Sequence, residues 1–414
     1  MSSRKPGAGP KLKLARARTK LERLLSEGWE RAVFASPQRE DGSREQRVLE
    51  GPLPFSELFA AAEVAASEGL VKHTYVLDAR RSVELDARHG HLKQRILDAA
   101  KVAKIMGGKA RALRPDRSAA LLRAIGIMNA DGSISTRNAK KYKQVNHMVE
   151  LCRPVWEELG QRREISERAP LKIVDLACGN SYLSFVLLEG LRLAGIPARL
   201  LGIDLREDVI ATSRARAEAI GFGDRARFEV SSLGDLDTRT LTALLEGDRE
   251  GEGDREGEGD RERDGGAGAD LAISLHACDT ATDEALALAI RAQIPAILCV
   301  PCCQAELARQ LEGREPGPAE VPAMLDQGLL RRGYGELLTD ALRAEMLRAC
   351  GYRVGVLEFV ASTHTPKNLM LRATVSGRGN RGRGSRAEQV ALDEVEARCR
   401  ALGVEPSLLR LLRA

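Results

Sequence analysis

The chain has 414 residues, enough for two domains with buried cores, and a net charge of only +5. Apolar residues make up 43% but aromatics only 3%, so the cores must rest on Leu, Val, Ala and Ile, and no run of 18 apolar residues exists to cross a membrane. The basic N-terminus lacks the apolar stretch of a signal peptide, and eight cysteines, several within expected strands, suit a reducing cytosol better than a disulfide framework. The expected location is cytoplasmic.

Residues 1–25 read as a basic tail, with Lys11, Lys13, Arg16, Arg18, Lys20 and Arg23 set against a lone acid, Glu22. Residues 26–117 read as a small α+β domain suited to substrate recognition. Strands are expected over 29–35 and 71–77 and helices over 54–67 and 91–105, punctuated by Gly51-Pro52, Pro54 and Gly107-Gly108. Lys72, His73 and Thr74 are expected in a surface turn, with substrate contact as the alternative. A helical lead-in over 118–165 carries a second basic group, Lys140, Lys141 and Lys143, with Tyr142 between them. Lysines release counterions from a phosphate backbone and a tyrosine can stack on an unpaired base, so these four residues are candidate substrate contacts.

From 166 to 376 the pattern is α/β. A buried strand, Leu171–Leu176, runs into a turn in which Ala177, Gly179 and Ser181 alternate as small residues, and then into a helix, Tyr182–Leu193. Small side chains let the backbone approach a ligand closely. A second strand over 199–204 ends on Asp204. An acid there, beside a Gly-containing turn, is how doubly wound folds hold an adenosine ribose. The dinucleotide fingerprint G-x-G-x-x-G is absent. Asp175 sits poorly beside a pyrophosphate and well beside a sulfonium and an α-amino group. The run Asp175-x-Ala177-x-Gly179-x-Ser181 resembles motif I of class I S-adenosylmethionine-dependent methyltransferases, with Ala and Ser where glycines are usual.

Further strands are expected over 226–230, 270–276, 296–300, 352–360 and 369–375, with helices over 206–219 and 282–291. Seven strands ending in a hairpin-like pair match the seven-stranded, doubly wound (Rossmann-like) sheet that the resemblance implies, beside a smaller α+β N-terminal domain. On that basis S-adenosylmethionine is the expected cofactor, held by Asp175, Ala177, Gly179, Asn180, Tyr182, Asp204, Ser231, Ser232 and Ser274. Between the third and fourth strands, the Gly and charge repeat of 247–268 cannot bury enough apolar surface to offset its ordering entropy and reads as a disordered insert. A basic linker and a C-terminal helix are expected over 377–414.

Two segments narrow the resemblance: His276-Ala277-Cys278-Asp279-Thr280-Ala281-Thr282-Asp283 after strand four, and Pro301-Cys302-Cys303 after strand five. Together they resemble a methyltransferase domain family that includes eukaryotic tRNA 2′-O-methyltransferases and poorly characterised bacterial and animal proteins. The lead-in over 138–147 and the stretch His364-Thr365-Pro366-Lys367-Asn368 fit the same family. The resemblance implies a reacting side built from His276, Cys278, Asp279, Cys302 and Cys303, with His364, Lys367 and Asn368 at the substrate. Three chemistries compete there. Asp279 with His276 can orient or deprotonate the substrate, a thiolate can attack C6 of a pyrimidine, or His276, Cys278, Cys299 and Cys303 can bind zinc. Against zinc, residues three apart on a strand face opposite sides, and no metal site is expected. Neither D/N-P-P-Y/F nor G-x-S-x-G occurs, which argues against exocyclic-amine chemistry of that type and against a serine hydrolase. The expectation is a methyltransferase acting on RNA (tRNA or rRNA). The alternatives are a protein or small-molecule methyltransferase, or a degenerate fold that binds nucleic acid without catalysis.

Overall fold

The computed structural model describes residues 13–37, 44–109, 111–246, 268–275, 277–317, 320–359, 369–376 and 385–414. Lys11, His276, His364, Lys367, Asn368, residues 247–267 of the repeat and the linker residues 377–384 lie outside the described residues. The chain divides into two compact units, Met1–Lys143 and Gln144–Ala414.

In the first unit a short 3-10 turn, Leu14–Ala17, leads into α1 (Arg18–Leu25). Leu14, Ala17, Leu21 and Leu25 recur at helical spacing and are all buried in the unit's core, while Lys13, Arg16, Arg18, Lys20 and Arg23 stay exposed. This segment is therefore not a tail, as its charge had implied. Its apolar stripe anchors it and leaves a basic face in water. The unit continues through β1 (Arg31–Ala35), β2 (Gln46–Glu50), α2 (Phe55–Ser67), β3 (Lys72–Val76), β4 (Arg81–Asp86), β5 (His91–Ile96), α3 (Ala99–Ile105) and α4 (Ala119–Ala124). The five strands form an antiparallel sheet in the order β2-β1-β3-β4-β5. The helix expected over 91–105 is thus strand β5 followed by α3. As an edge strand β5 buries almost nothing, so its two-residue period carries no apolar signal.

His73 lies within β3 rather than in a turn. It is 1% exposed, its Nε2 is 2.8 Å from the Leu70 carbonyl, and burial lowers its pKa to about 4. It is a neutral core histidine. The long helix α5 (Thr136–Arg162) carries Tyr142, whose side chain is buried and whose hydroxyl donates to the Leu113 carbonyl at 2.6 Å. With its ring enclosed and its polar end satisfied, Tyr142 is not a base-stacking platform. Lys140, Lys141 and Lys143 are exposed, as expected.

In the second unit the elements after α5 are β6 (Leu171–Leu176), α6 (Tyr182–Leu193), β7 (Ala198–Asp204), α7 (Glu207–Ala219), β8 (Ala226–Val230) and α8 (Thr238–Glu246). There follow β9 (Leu271–Ser274), α9 (Thr280–Arg291), β10 (Ala296–Cys299), α10 (Glu306–Gln310), α11 (Ala323–Asp326), α12 (Gly328–Ala349), β11 (Tyr352–Glu358), β12 (Leu369–Val375), α13 (Arg386–Ala401) and α14 (Ser407–Arg413). The seven-stranded sheet runs β11-β12-β10-β9-β6-β7-β8. Strands β6 to β10 pair in parallel, and β12 is antiparallel to both its neighbours. Every residue of β9 and β10 is buried, which is why these strands read as unbroken apolar runs. Val395, Cys399, Leu408 and Leu409 of α13 and α14 share one core with Ala272 and Ile297, so the C-terminal helices belong to this unit. The chain winds outward from β6 in both directions. The crevice beyond the carboxyl ends of β6 and β9 is therefore the topological switch point, where open α/β sheets bind ligands.

Candidate cofactor and substrate site

The β6–α6 turn is built from left-handed residues. Ala177, Gly179 and Ser181 have φ of 61°, 54° and 53°. A side chain at positive φ costs roughly 1–3 kcal/mol, and such strain persists where the surrounding structure over-determines it. Here the surroundings do so. The Cys178 N–H donates to the Ile203 carbonyl at 2.9 Å, the Ser181 N–H to the Cys178 carbonyl at 2.9 Å, and the Ser213 hydroxyl to the Gly179 carbonyl at 3.3 Å. Ala and Ser at the usual glycine positions thus keep the left-handed backbone.

Asp204 stands at the tip of β7, half-buried. Its Oδ2 accepts the Gly179 N–H at 2.8 Å and its Oδ1 the Arg206 N–H at 3.0 Å. The carboxylate is therefore fixed against the turn, with lone pairs left for further donors. The close approach of β7 to this turn requires Gly202. A Cβ there would sit 2.5 Å from Phe228 Cδ1 and 3.1 Å from Cys178 Sγ. Phe228 in turn meets Phe185 edge-on, with centroids 5.8 Å apart.

Asp175 is fully buried. Ser184 donates to its Oδ2, while its Oδ1 has no partner. Burial raises its pKa to about 7, the Ser184 bond opposes the rise, and the Asp204 charge adds to it. Among the buried polar atoms without a partner in the described residues are two more near this turn, Ser181 Oγ and Ser274 Oγ. The β6–β9 ladder pairs Asp175 with Ile273, which places Ser274 one residue beyond that pair. Buried polar atoms left unpaired cost about 1–3 kcal/mol each. Three of them, at the ends of β6 and β9 and at the start of α6, fit a polar ligand seated in the crevice, and a cation is what a buried carboxylate best accepts there.

The remaining cofactor candidates border the same turn. Asn180 is exposed, with its Oδ1 accepting the Tyr182 N–H at 3.2 Å, and Tyr182 is half-buried. The Ser231 N–H donates to the Asp204 carbonyl at 3.0 Å, and Ser232 Oγ accepts the Gly234 N–H at 3.3 Å.

On the neighbouring loops, after β9 and β10, Cys278 Sγ and Cys302 Sγ lie 3.2 Å apart, and Cys303 joins them in one cluster. Burial and the adjacent thiols push Cys302 up to about 12, and no cation among the described residues pairs with it, which argues against a Cys302 thiolate nucleophile. Cys299 is buried in the core and, among the described residues, does not join that cluster. Asp279 has a left-handed φ of 52°, and its N–H donates to the Cys303 carbonyl at 2.6 Å. Its carboxylate accepts the N–H groups of Ala305 and Glu306 at 3.0 and 3.1 Å and the Arg309 guanidinium at 2.8 Å. Burial alone would raise its pKa. These donors outweigh burial and hold it below the usual carboxylate range. So engaged, Asp279 ties the two loops together and is a poor general base.

Behind these loops lies a network that reading the sequence did not find. Arg343, 1% exposed, grips Asp283 through Nε (2.8 Å) and a terminal nitrogen (2.7 Å), reaches Asp340 at 3.2 Å and donates to the Asp279 carbonyl at 3.0 Å. Gln304 completes it with a bond to Asp340 at 2.8 Å. Asp283 closes the motif after β9, and a buried acid there needs a basic partner. Nothing local to α12 distinguishes Arg343 from its exposed arginines.

Residues 140–310 match the family model of a methyltransferase domain. A protein-lysine N-methyltransferase of Schizosaccharomyces pombe is 38% identical over 68 residues, which is 16% of this chain, and the matched stretch spans 29% of that relative's length. Among solved structures, an SAH-bound methyltransferase of Podospora anserina is similar at 17% identity and a TM-score of 0.33, over 62% of this chain and 88% of that one. An O-methyltransferase of Streptomyces achromogenes, involved in tomaymycin synthesis and in complex with SAM, is similar at 17% identity and a TM-score of 0.33, over 62% and 90% of the two chains. Neither structural likeness bears on the substrate.

Proposed function

We propose that this protein, whose residues 140–310 match a methyltransferase domain and carry β6 to β10 of the seven-stranded sheet, transfers a methyl group from S-adenosylmethionine to RNA. The observation that carries the methyl-transfer reading is the left-handed turn at Ala177, Gly179 and Ser181, bonded through the Gly179 N–H to Asp204. Asp204 would hold the ribose and Asp175 would face the cationic methionine end. Ser231 and Ser232 stand at the tip of β8 for the adenine, and Ser274 stands beside Asp175. When bound, the cofactor supplies an electrophilic methyl on a sulfonium. In-line displacement then asks the protein mainly for positioning. Asp279 acts as a positioning residue through its hold on the loops after β9 and β10, beside Cys278, Cys302 and Cys303.

RNA is favoured by the exposed Lys140, Lys141 and Lys143 on α5, by the basic face of α1, and by the resemblance to a domain family that includes tRNA 2′-O-methyltransferases. His276, His364, Lys367 and Asn368 are carried over on that resemblance alone. A second reading, methylation of a protein, rests on the 68-residue likeness to a protein-lysine N-methyltransferase. Calorimetric titration with S-adenosylmethionine and S-adenosylhomocysteine, with NAD as control, tests the cofactor. Binding of the two adenosyl compounds and not NAD is expected, and binding of neither overturns the reading. Tritiated-methyl transfer to total RNA and to total protein then separates the substrates. Label in RNA that falls when Lys140, Lys141 and Lys143 are changed to alanine supports RNA. Label confined to protein overturns it.

A further inference from the structure

The sheet register brings three thiols to one point. β9 and β10 pair in parallel with Ser274 opposite Cys299. Extending that register past the strand ends sets Ala277 beside Cys302 and Cys278 beside Cys303. The Asp279 N–H bond to the Cys303 carbonyl shows that the two loops stay joined there. The sulfurs of Cys278, Cys302 and Cys303 all lie within 4.8 Å of one another, with the Cys278–Cys302 pair at 3.2 Å. A tetrahedral zinc–thiolate centre, with Zn–S of about 2.3 Å, has sulfur–sulfur edges of about 3.8 Å. The Cys278–Cys302 pair, at 3.2 Å, is closer than that edge, and no pair exceeds it by more than about 1 Å. Cys278 and Cys303 are both exposed to solvent.

We propose that Cys278, Cys302 and Cys303 form a binding site for a thiophilic divalent cation of the zinc class, with three thiolate ligands and a fourth position open to solvent. Three sulfurs this close repel once ionised, and a bound dication removes that repulsion. Thiolate ligands select zinc-class over oxygen-seeking metals such as magnesium. Binding releases the thiol protons to buffer. Because the ligands come from the loops after both β9 and β10, the ion would clamp the two loops that Asp279, Arg309 and Arg343 already join. The site does not depend on the methyl-transfer reading, and its test uses no cofactor or substrate.

The experiment uses the full chain, reduced under argon and stripped with EDTA, titrated with Co²⁺ and then Zn²⁺. The expected result is a thiolate-to-cobalt charge-transfer band with tetrahedral visible bands, saturating near one equivalent per chain and bleached by Zn²⁺. Cys278→Ser and Cys303→Ser, both at exposed positions, should each weaken Zn²⁺ by more than about 100-fold against a chromophoric chelator. Cys350→Ala should leave affinity unchanged. Independently of any variant, one equivalent of Zn²⁺ should protect Cys278, Cys302 and Cys303 from alkylation, read peptide by peptide by mass spectrometry. No charge-transfer band in the reduced protein, a band that survives Cys278→Ser, or a Cys278–Cys302 disulfide that forms equally fast with Zn²⁺ present would overturn the proposal.

Discussion

The Asp175→Asn change tests the electrostatics of the crevice most directly. Burial raises the Asp175 carboxyl to about 7, against an ordinary value of about 3.9 in the unfolded chain. Between those values the folded chain keeps a proton that the unfolded chain has lost, so stability is full below about pH 4 and falls as pH rises toward 7. A shift of about three units corresponds to roughly 4 kcal/mol withheld above pH 7. Asparagine is neutral throughout and can accept the Ser184 hydroxyl through its carbonyl, but its amide nitrogen then occupies the unpartnered Oδ1 side. Leaving that amide unsatisfied costs about 1–3 kcal/mol. The variant should therefore be about 1–3 kcal/mol more stable than the parent near pH 8 and, because the parent has given up only about 1 kcal/mol by pH 4.5, less stable by up to about 2 kcal/mol there. Urea unfolding without cofactor at both pH values, followed by far-ultraviolet circular dichroism, measures the two differences. Equal differences at the two pH values would refute the assignment of a buried, proton-retaining carboxyl. The same variant should lose S-adenosylmethionine affinity above pH 7, where the parent offers a carboxylate to the cation.

Asp204→Ala removes the acceptor of the Gly179 and Arg206 N–H groups as well as the proposed ribose bonds, and should lower cofactor affinity about 10- to 100-fold by calorimetry. Unchanged affinity would displace β7 from the site. Arg343→Met strands Asp283 and Asp340 as buried acids, so a loss of about 3–5 kcal/mol is expected in chemical denaturation, and a loss below about 1 would show that the network carries little. Gly202→Ala drives a methyl into Phe228, whose ring is held by Phe185, and should cost about 1–3 kcal/mol by overpacking. A thermal midpoint equal to the parent's would mean that β7 can yield there.

The methyltransferase sheet was legible because its strands are buried on both faces. Leu171–Leu176, Ala226–Val230 and Leu369–Val375 match the expected runs end to end, and the turn after β6 was found by its small residues. The first unit was half legible. β2 and β5 lie at sheet edges with mostly exposed side chains, so no apolar period marked them. The N-terminal basic segment misled because charge is visible in sequence, while the four-residue stripe that buries it is short.

Residue type and order were enough to single out the turn that holds Gly179 between Asp175 and Asp204, which the fold brings together through the Gly179 N–H bond to Asp204. Side-chain state was not available from order. Whether Tyr142 faces a base or the interior, and whether Asp279 is a base or a brace, depends on partners at Leu113, Ala305, Glu306 and Arg309. Arg309 and Arg343 read like any other helical arginines until the fold sets them against Asp279 and Asp283. The strand pattern was determined by the sequence alone, because burial on both faces demands unbroken apolar runs. The pairing of Cys278 with Cys302 and Cys303, and of Asp283 with Arg343 sixty residues on, was decided only by the tertiary structure. Register between non-adjacent strands, and the docking of α12 behind them, come from the sum of many weak apolar contacts, and no local segment records that sum.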